Sequence, residues 1–325
     1  MDADLDTLCI AVYCTVDDLL PQPGANARRK VTDAEVVTLA VAQALMGIAS
    51  DRRFLIAARA RLMHLFPTLP GQSGYHKRRR RLREVFDWLC QIFAEQCPGY
   101  HDNLLLLDST PVECGRSVET VRRSALAACA GYGWSRSHSR FFWGMRLHLA
   151  CGLDGTPRHA ILASADRPER EVALDLLPRC LHGGETVVCD KGYAGRGFAT
   201  AVSRLGATIV RPRRENEAGH GPPLGIIRQR IESVFHTLKD LLTLERHGAR
   251  TPEGLRERIG YRLCALAACI WLNYQTARPT RANLIWSIII ASGRAASNRS
   301  FGNYFCRQSS GIFNPEFLSS QDFFG

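Results

Sequence analysis

Asp108 follows four consecutive leucines, Leu104 to Leu107, and precedes Ser109-Thr110-Pro111-Val112. Such a run predicts a strand buried on both faces. An unpaired charge there costs several kcal/mol, so a carboxylate at its end has either a partner or a task. Asp190, in Val187-Val188-Cys189-Asp190-Lys191-Gly192-Tyr193, closes a second apolar run, where Gly192 lets the chain turn away. Glu232, in Arg228-Gln229-Arg230-Ile231-Glu232-Ser233-Val234-Phe235, lies on a helical pattern. Carboxylates from separate elements that converge on one point can hold two divalent ions about 3.5–4 Å apart. One ion then activates an attacking oxygen and the other stabilises the leaving oxygen of a phosphodiester. Taken singly, each acid has a plainer reading: a turn former for Asp108, a strand-end turn for Asp190, a solvated helix charge for Glu232. The three in this order are more specific than any one of them.

Helical spacing puts Arg228 one turn before Glu232 and Lys239 two turns after it, on a shared face. They are candidates to hold DNA phosphates beside the acids, although an ordinary surface ion-pair ladder has the same spacing. Other acids are weaker candidates. Asp154 falls in a Leu-Asp-Gly turn, where Asp is favoured for backbone reasons. Asp102 precedes the apolar run on a loop, Asp166 and Asp240 have polar neighbours, and Glu113 reads as a cap or surface group rather than a support for the acids.

The elements that must carry these groups change character along the chain. Residues 1–98 read as helical, with a capping box at Thr32-Asp33-Ala34-Glu35 opening an apolar helix over 36–48. A second helix spans about 53–65. After a Gly/Pro turn at 67–74, a further helix begins with the basic run Lys77, Arg78, Arg79, Arg80 and Arg81 and continues amphipathically through Val85, Trp88, Leu89, Ile92 and Phe93. This arrangement suggests a small DNA-binding head in which the basic run holds the phosphate backbone. From about residue 100 strands dominate, at 104–112, 141–151 and 158–164, with a polar loop at 116–139. Helices at 171–177 and 197–205 then alternate with strands at 186–190 and 207–210, and a strong helix runs over 226–242. The order is that of a mixed sheet covered by helices on both faces, an α/β fold. Residues 286–325, rich in Ser, Asn, Gly and Phe, lack either period and read as an irregular extension of a 99–285 core.

Composition narrows the class. The chain has 325 residues, 46% hydrophobic and 22% charged, as expected of a globular protein. A net charge of +11 and a pI near 9.3 favour a polyanionic partner. Its 12 cysteines are scattered without a Cys-x-x-Cys pair, which argues against structural zinc. With no signal segment, reduced thiols in a cytoplasm are expected. No apolar run approaches the length of a membrane span.

These motifs resemble the DDE transposases of bacterial insertion sequences, the nine-eighty-two family in particular, with their RNase H-like catalytic domain. The resemblance rests on Leu107-Asp108-Ser109-Thr110-Pro111-Val112, Cys189-Asp190-Lys191-Gly192-Tyr193, the Arg228 to Phe235 segment and Lys239 beyond it. It implies that Asp108, Asp190 and Glu232 ligate two Mg²⁺ ions, with Mn²⁺ able to substitute. It further implies binding to the element's terminal inverted repeats and to target DNA, a homodimer holding two ends, and strand cleavage followed by strand transfer. Arg228 and Lys239 would contact DNA near the cut. One departure stands out: related families place a Tyr three residues before the arginine, and here that residue is Gly225.

Overall fold

The structure, a computed structural model, describes residues 5–21, 30–135, 139–214, 217 and 224–278. Five helices come first: α1 (Leu5–Leu19), α2 (Asp33–Leu45), α3 (Asp51–Arg61), α4 (Gln72–Arg81) and α5 (Arg83–Glu95). The capping box of α2 is formed, with Glu35 N donating to Thr32 Oγ1 and Thr32 N donating to the Glu35 carboxylate. The single helix expected from the basic run onward is instead two, broken at Leu82 (φ −89°, ψ 14°). The break lets α4 turn Tyr75 and Arg79 into the interior, while α5 lays Phe86 and Phe93 against Tyr261 and Trp271 of the last helix, α10 (Pro252–Gln275).

The remaining elements are β1 (Leu104–Gly115), α6 (Val118–Arg123), β2 (Gly131–Ser135), β3 (Arg140–Cys151), β4 (Pro157–Ser164), α7 (Glu169–Leu176), β5 (Thr186–Cys189), α8 (Arg196–Arg204), β6 (Thr208–Val210) and α9 (Gly225–His236). Strand β3 runs antiparallel to β1, with Asp108 opposite Leu149, and β4 antiparallel to β3. On the other side β5 lies parallel to β1 and β6 parallel to β5. The order β4-β3-β1-β5-β6, three antiparallel strands followed by two parallel ones, is that of an RNase H-like sheet.

The polar loop expected over 116–139 contains α6 and the strand β2. Strand β2 pairs with the first part of β3 (Trp134 opposite Phe141), and β4 takes over the same edge from Met145 onward. Alternating Gly131 and Gly133 hide this strand from a hydrophobic pattern. Gly133 is needed there, since a Cβ would come within 2.7 Å of the Ala165 carbonyl oxygen.

The period of two along β1 separates two cores. Leu105 and Leu107 face α7 and α8, packing with Val172, Leu176, Phe198 and Val202. Leu106 and Val112 face the opposite way, into a larger core with α9, α10 and the N-terminal helices. Asp108 therefore emerges on the α9 side, and Ser109 on the α7 side. The buried residues of α1–α5 belong to that same larger core. Among the described residues, no helix is long and apolar enough to cross a membrane, and the cysteines are free thiols. The extension at 286–325 lies outside the described residues.

Candidate active site

Strand register brings the first two acids together. Leu107 is paired with Cys189 across the parallel β1–β5 ladder. Asp108 and Asp190 are the next residues along; β5 ends there, while β1 continues to Gly115. Asp108 accepts a hydrogen bond from the Ser109 amide at 2.8 Å. Burial pushes its carboxyl up to about 7; the Ser109 amide acts against this, Glu169 and Asp190 add to it, and Arg228 opposes it. Asp190 caps the short turn that follows β5, accepting from the Lys191 amide at 2.7 Å. A Cβ at Gly192 would lie 3.4 Å from Glu169 Oε2 and 3.9 Å from Asp190 Oδ2, ordinary contact distances that place this turn beside both acids.

Glu232 reaches the same place from α9. Asp108, Asp190, Glu232, Arg228 and Lys239 all line one cleft of about 760 Å³. The arginine stands between the second and third acids: its Nη2 is 3.4 Å from Asp190 Oδ1 and 3.7 Å from Glu232 Oε1. Lys239 follows α9 on a π-helical turn, Thr237–Leu241, 3.6 Å from Glu245. Among the described residues no three His, Cys, Asp or Glu side chains stand close enough together to hold a metal ion. The donor set is nonetheless entirely carboxylate oxygen, which suits Mg²⁺ or Mn²⁺. A cation placed between Asp190 and Glu232 would compete with the Arg228 guanidinium for the same oxygens.

A fourth acid, absent from the sequence reading, is Glu169 at the start of α7. Its Oε1 accepts from Ser109 Oγ at 2.7 Å and from Arg146 at 3.2 Å. Arg146, on β3, also donates to Ser109 Oγ and to the Trp134 carbonyl, tying the sheet edge to the cleft wall. An acid directly after Pro168 reads from sequence as a helix-dipole partner. Only the register that sets Ser109 beside α7 shows its second role.

The basic run of α4 is dispersed, and none of its residues lines the cleft. Lys77 is exposed, Arg78 is bound to Asp33 and the Val31 carbonyl, Arg80 lies 3.8 Å from Glu253, and Arg81 lies 3.5 Å from Asp33. Arg79 corrects the expectation outright. It is fully buried, paired with Glu257 and Asp51, and stacked near Tyr75 and Tyr261, so it cannot meet DNA.

Comparison with known proteins follows this geometry. A family model described as "Transposase DDE domain" matches residues 99–268, from the turn before β1 into α10 and across all three acids. The chain is also similar to a piggyBac transposase, solved by cryo-EM in a synaptic complex with hairpin DNA. That likeness has 9% identity and a TM-score of 0.44, covering 96% of this chain and 86% of that one. No curated protein matches the sequence. With over half its length inside the family match, carrying two aspartates on adjacent strands and a glutamate on the covering helix, this chain belongs to the transposase DDE domain family.

Proposed function

We propose that this chain is the transposase of a bacterial insertion sequence, binding the element's terminal inverted repeats and catalysing metal-dependent strand cleavage and strand transfer. The observation that carries the reading is the meeting of Asp108, Asp190 and Glu232 at one cleft, from a central strand, its parallel neighbour and a covering helix. Asp108, Asp190 and Glu232 are the residues that would hold two Mg²⁺ ions, or Mn²⁺ in their place. When bound, such ions supply Lewis acidity toward the attacking and leaving oxygens of a phosphodiester.

The chain's own groups do the rest. Asp108 gives up the proton that burial otherwise favours. Arg228 turns from the carboxylates to a DNA phosphate, and Lys239, partly exposed on the cleft wall, holds a second one. Glu169 keeps Ser109 and Arg146 in place beside Asp108. Water first releases a 3′-OH at the element end, and that hydroxyl then attacks target DNA, without a covalent protein–DNA intermediate. The helical region takes part in DNA binding, and a homodimer holds the two ends.

The test is incubation of the full chain with a labelled duplex carrying the gene's own genomic flanks, with Mg²⁺ or Mn²⁺ and a second, circular DNA. A nick leaving a 3′-OH at the repeat end, followed by joined products, supports the reading. Cutting at unrelated sequences without joining would identify a nuclease instead.

A further inference from the structure

We infer that helix α3 presents the face of the N-terminal helical region that docks on duplex DNA, with Arg52, Arg53 and Arg59 on phosphates and Ile56 between them in a groove. The inference rests on the DNA-processing reading above, and assigns the contact to a helix other than the one carrying the basic run.

Two observations carry it. The first is the accounting of charge. In α4 the arginines lie against acids: Arg78 and Arg81 at Asp33, Arg79 at Asp51 and Glu257, Arg80 at Glu253. In α3, Arg52, Arg53 and Arg59 are exposed and have no acidic partner among the described residues. Positions 52, 56 and 59 follow the i, i+4, i+7 pattern of a single helical stripe. The stripe therefore reads Arg52, Ile56, Arg59, with Arg53 alongside and Met63 in the turn that follows the helix. Ile56 is 58% exposed and Met63 42% exposed. Cations set around an exposed branched apolar side chain match the chemistry of a DNA groove, where phosphates flank thymine methyl groups.

The second observation is how α3 is held. Phe54, Leu55 and Ala58 bury its inner side. Its first residue, Asp51, is the hub of a buried polar cluster: it accepts from Arg79 at 3.0 and 3.1 Å and from Gln43 at 3.1 Å, and Arg258 of α10 lies 3.5 Å away. Buried ion pairs are poor contributors to stability, but they fix geometry. Here they fix the direction of α3 against α4 and against the helix that backs the catalytic sheet. The outer face of α3 is thereby held rigidly on the helix packed behind the catalytic sheet.

The experiment is fluorescence anisotropy of the full chain on a labelled duplex carrying the gene's flanks, across a salt series. It compares the parent with Arg52→Ala/Arg53→Ala/Arg59→Ala, with the triple Arg→Lys version and with Arg80→Ala/Arg81→Ala. Three lost phosphate contacts should weaken binding about tenfold or more near ~100 mM salt and flatten the log–log salt slope by about 2–3. The lysine version should restore the slope, and the α4 variant should change it less. Thermal melting of each variant checks that the fold is kept. Parent-like affinity and slope in the alanine triple, with a larger loss in the α4 variant, would overturn the assignment while leaving the transposase reading intact. Failure of the parent itself to bind any duplex would overturn both.

Discussion

Asp108 is a carboxylate whose burial favours the protonated form. Its pKa stands at about 7 against an ordinary 3.8, chiefly because it is buried. Between those two values the folded chain holds a proton that the unfolded chain has released. Metal-free stability therefore falls as pH rises from about 4 to about 7 and levels off above, by an amount on the order of 1–3 kcal/mol. Asp108→Asn should remove that slope and melt higher than the parent above pH 7 in chelator, while abolishing cleavage. Melting curves between pH 5 and 8 check this, and parallel curves for the two proteins would contradict it. A second prediction concerns Arg228, which sits between Asp190 and Glu232. Arg228→Ala should lower the Mn²⁺ concentration needed for half-maximal thermal stabilisation and, at saturating Mn²⁺, still cut poorly for want of its phosphate contact. An unchanged Mn²⁺ midpoint would mean that the arginine does not compete with a cation. At this scale the place of Asp108 on a buried strand was legible from the leucine run before it. Glu169 was not, because its partner Ser109 lies sixty residues earlier.

Elements were legible where local rules dominate. The capping box at Thr32, the leucine strand and the alternation of strand and helix from 186 to 236 follow from propensity and period. What failed was decided by distant partners. Strand β2 has glycine at 131, beside the Asp166 and Ser164 side chains, and at 133, beside the Ala165 carbonyl, so it lacks the pattern that marks a strand. The basic run reads as a solvated cationic face until Glu257, 178 residues away, draws Arg79 inward. That buried joint between α3, α4 and α10 gives a third prediction. Arg79→Ala leaves Asp51 and Glu257 buried without their partner and should cost about 3–5 kcal/mol. Urea unfolding of the full chain measures it, and a loss below ~1 kcal/mol would mean the cluster opens to water. Arg79→Lys, which keeps the charge, should recover little of that loss, since a single ammonium cannot reach Asp51, Gln43 and Glu257 together.

For the whole molecule, the helical residues before β1 and the catalytic sheet are joined through α10, which packs against α5 and α2 and closes the larger core. Residues 1–98 expressed alone would expose that apolar surface. They should lack a cooperative thermal transition and bind a hydrophobic dye, as judged by circular dichroism and dye fluorescence; a sharp, reversible melt would show an independent domain. Sequence alone could divide the chain by composition, yet it could not show that its first and last described helices share one interior. The central claim is that three carboxylates on three elements form a single cutting site. Its most direct test is single-turnover nicking of an end-labelled duplex bearing the gene's flanks, in Mn²⁺, by the parent, Asp108→Asn, Asp190→Asn and Glu232→Gln. The account predicts that each variant binds the duplex like the parent and that none nicks it. Nicking by Glu232→Gln at the parent's rate, with both aspartate variants silent, would remove the glutamate from the site and contradict the account.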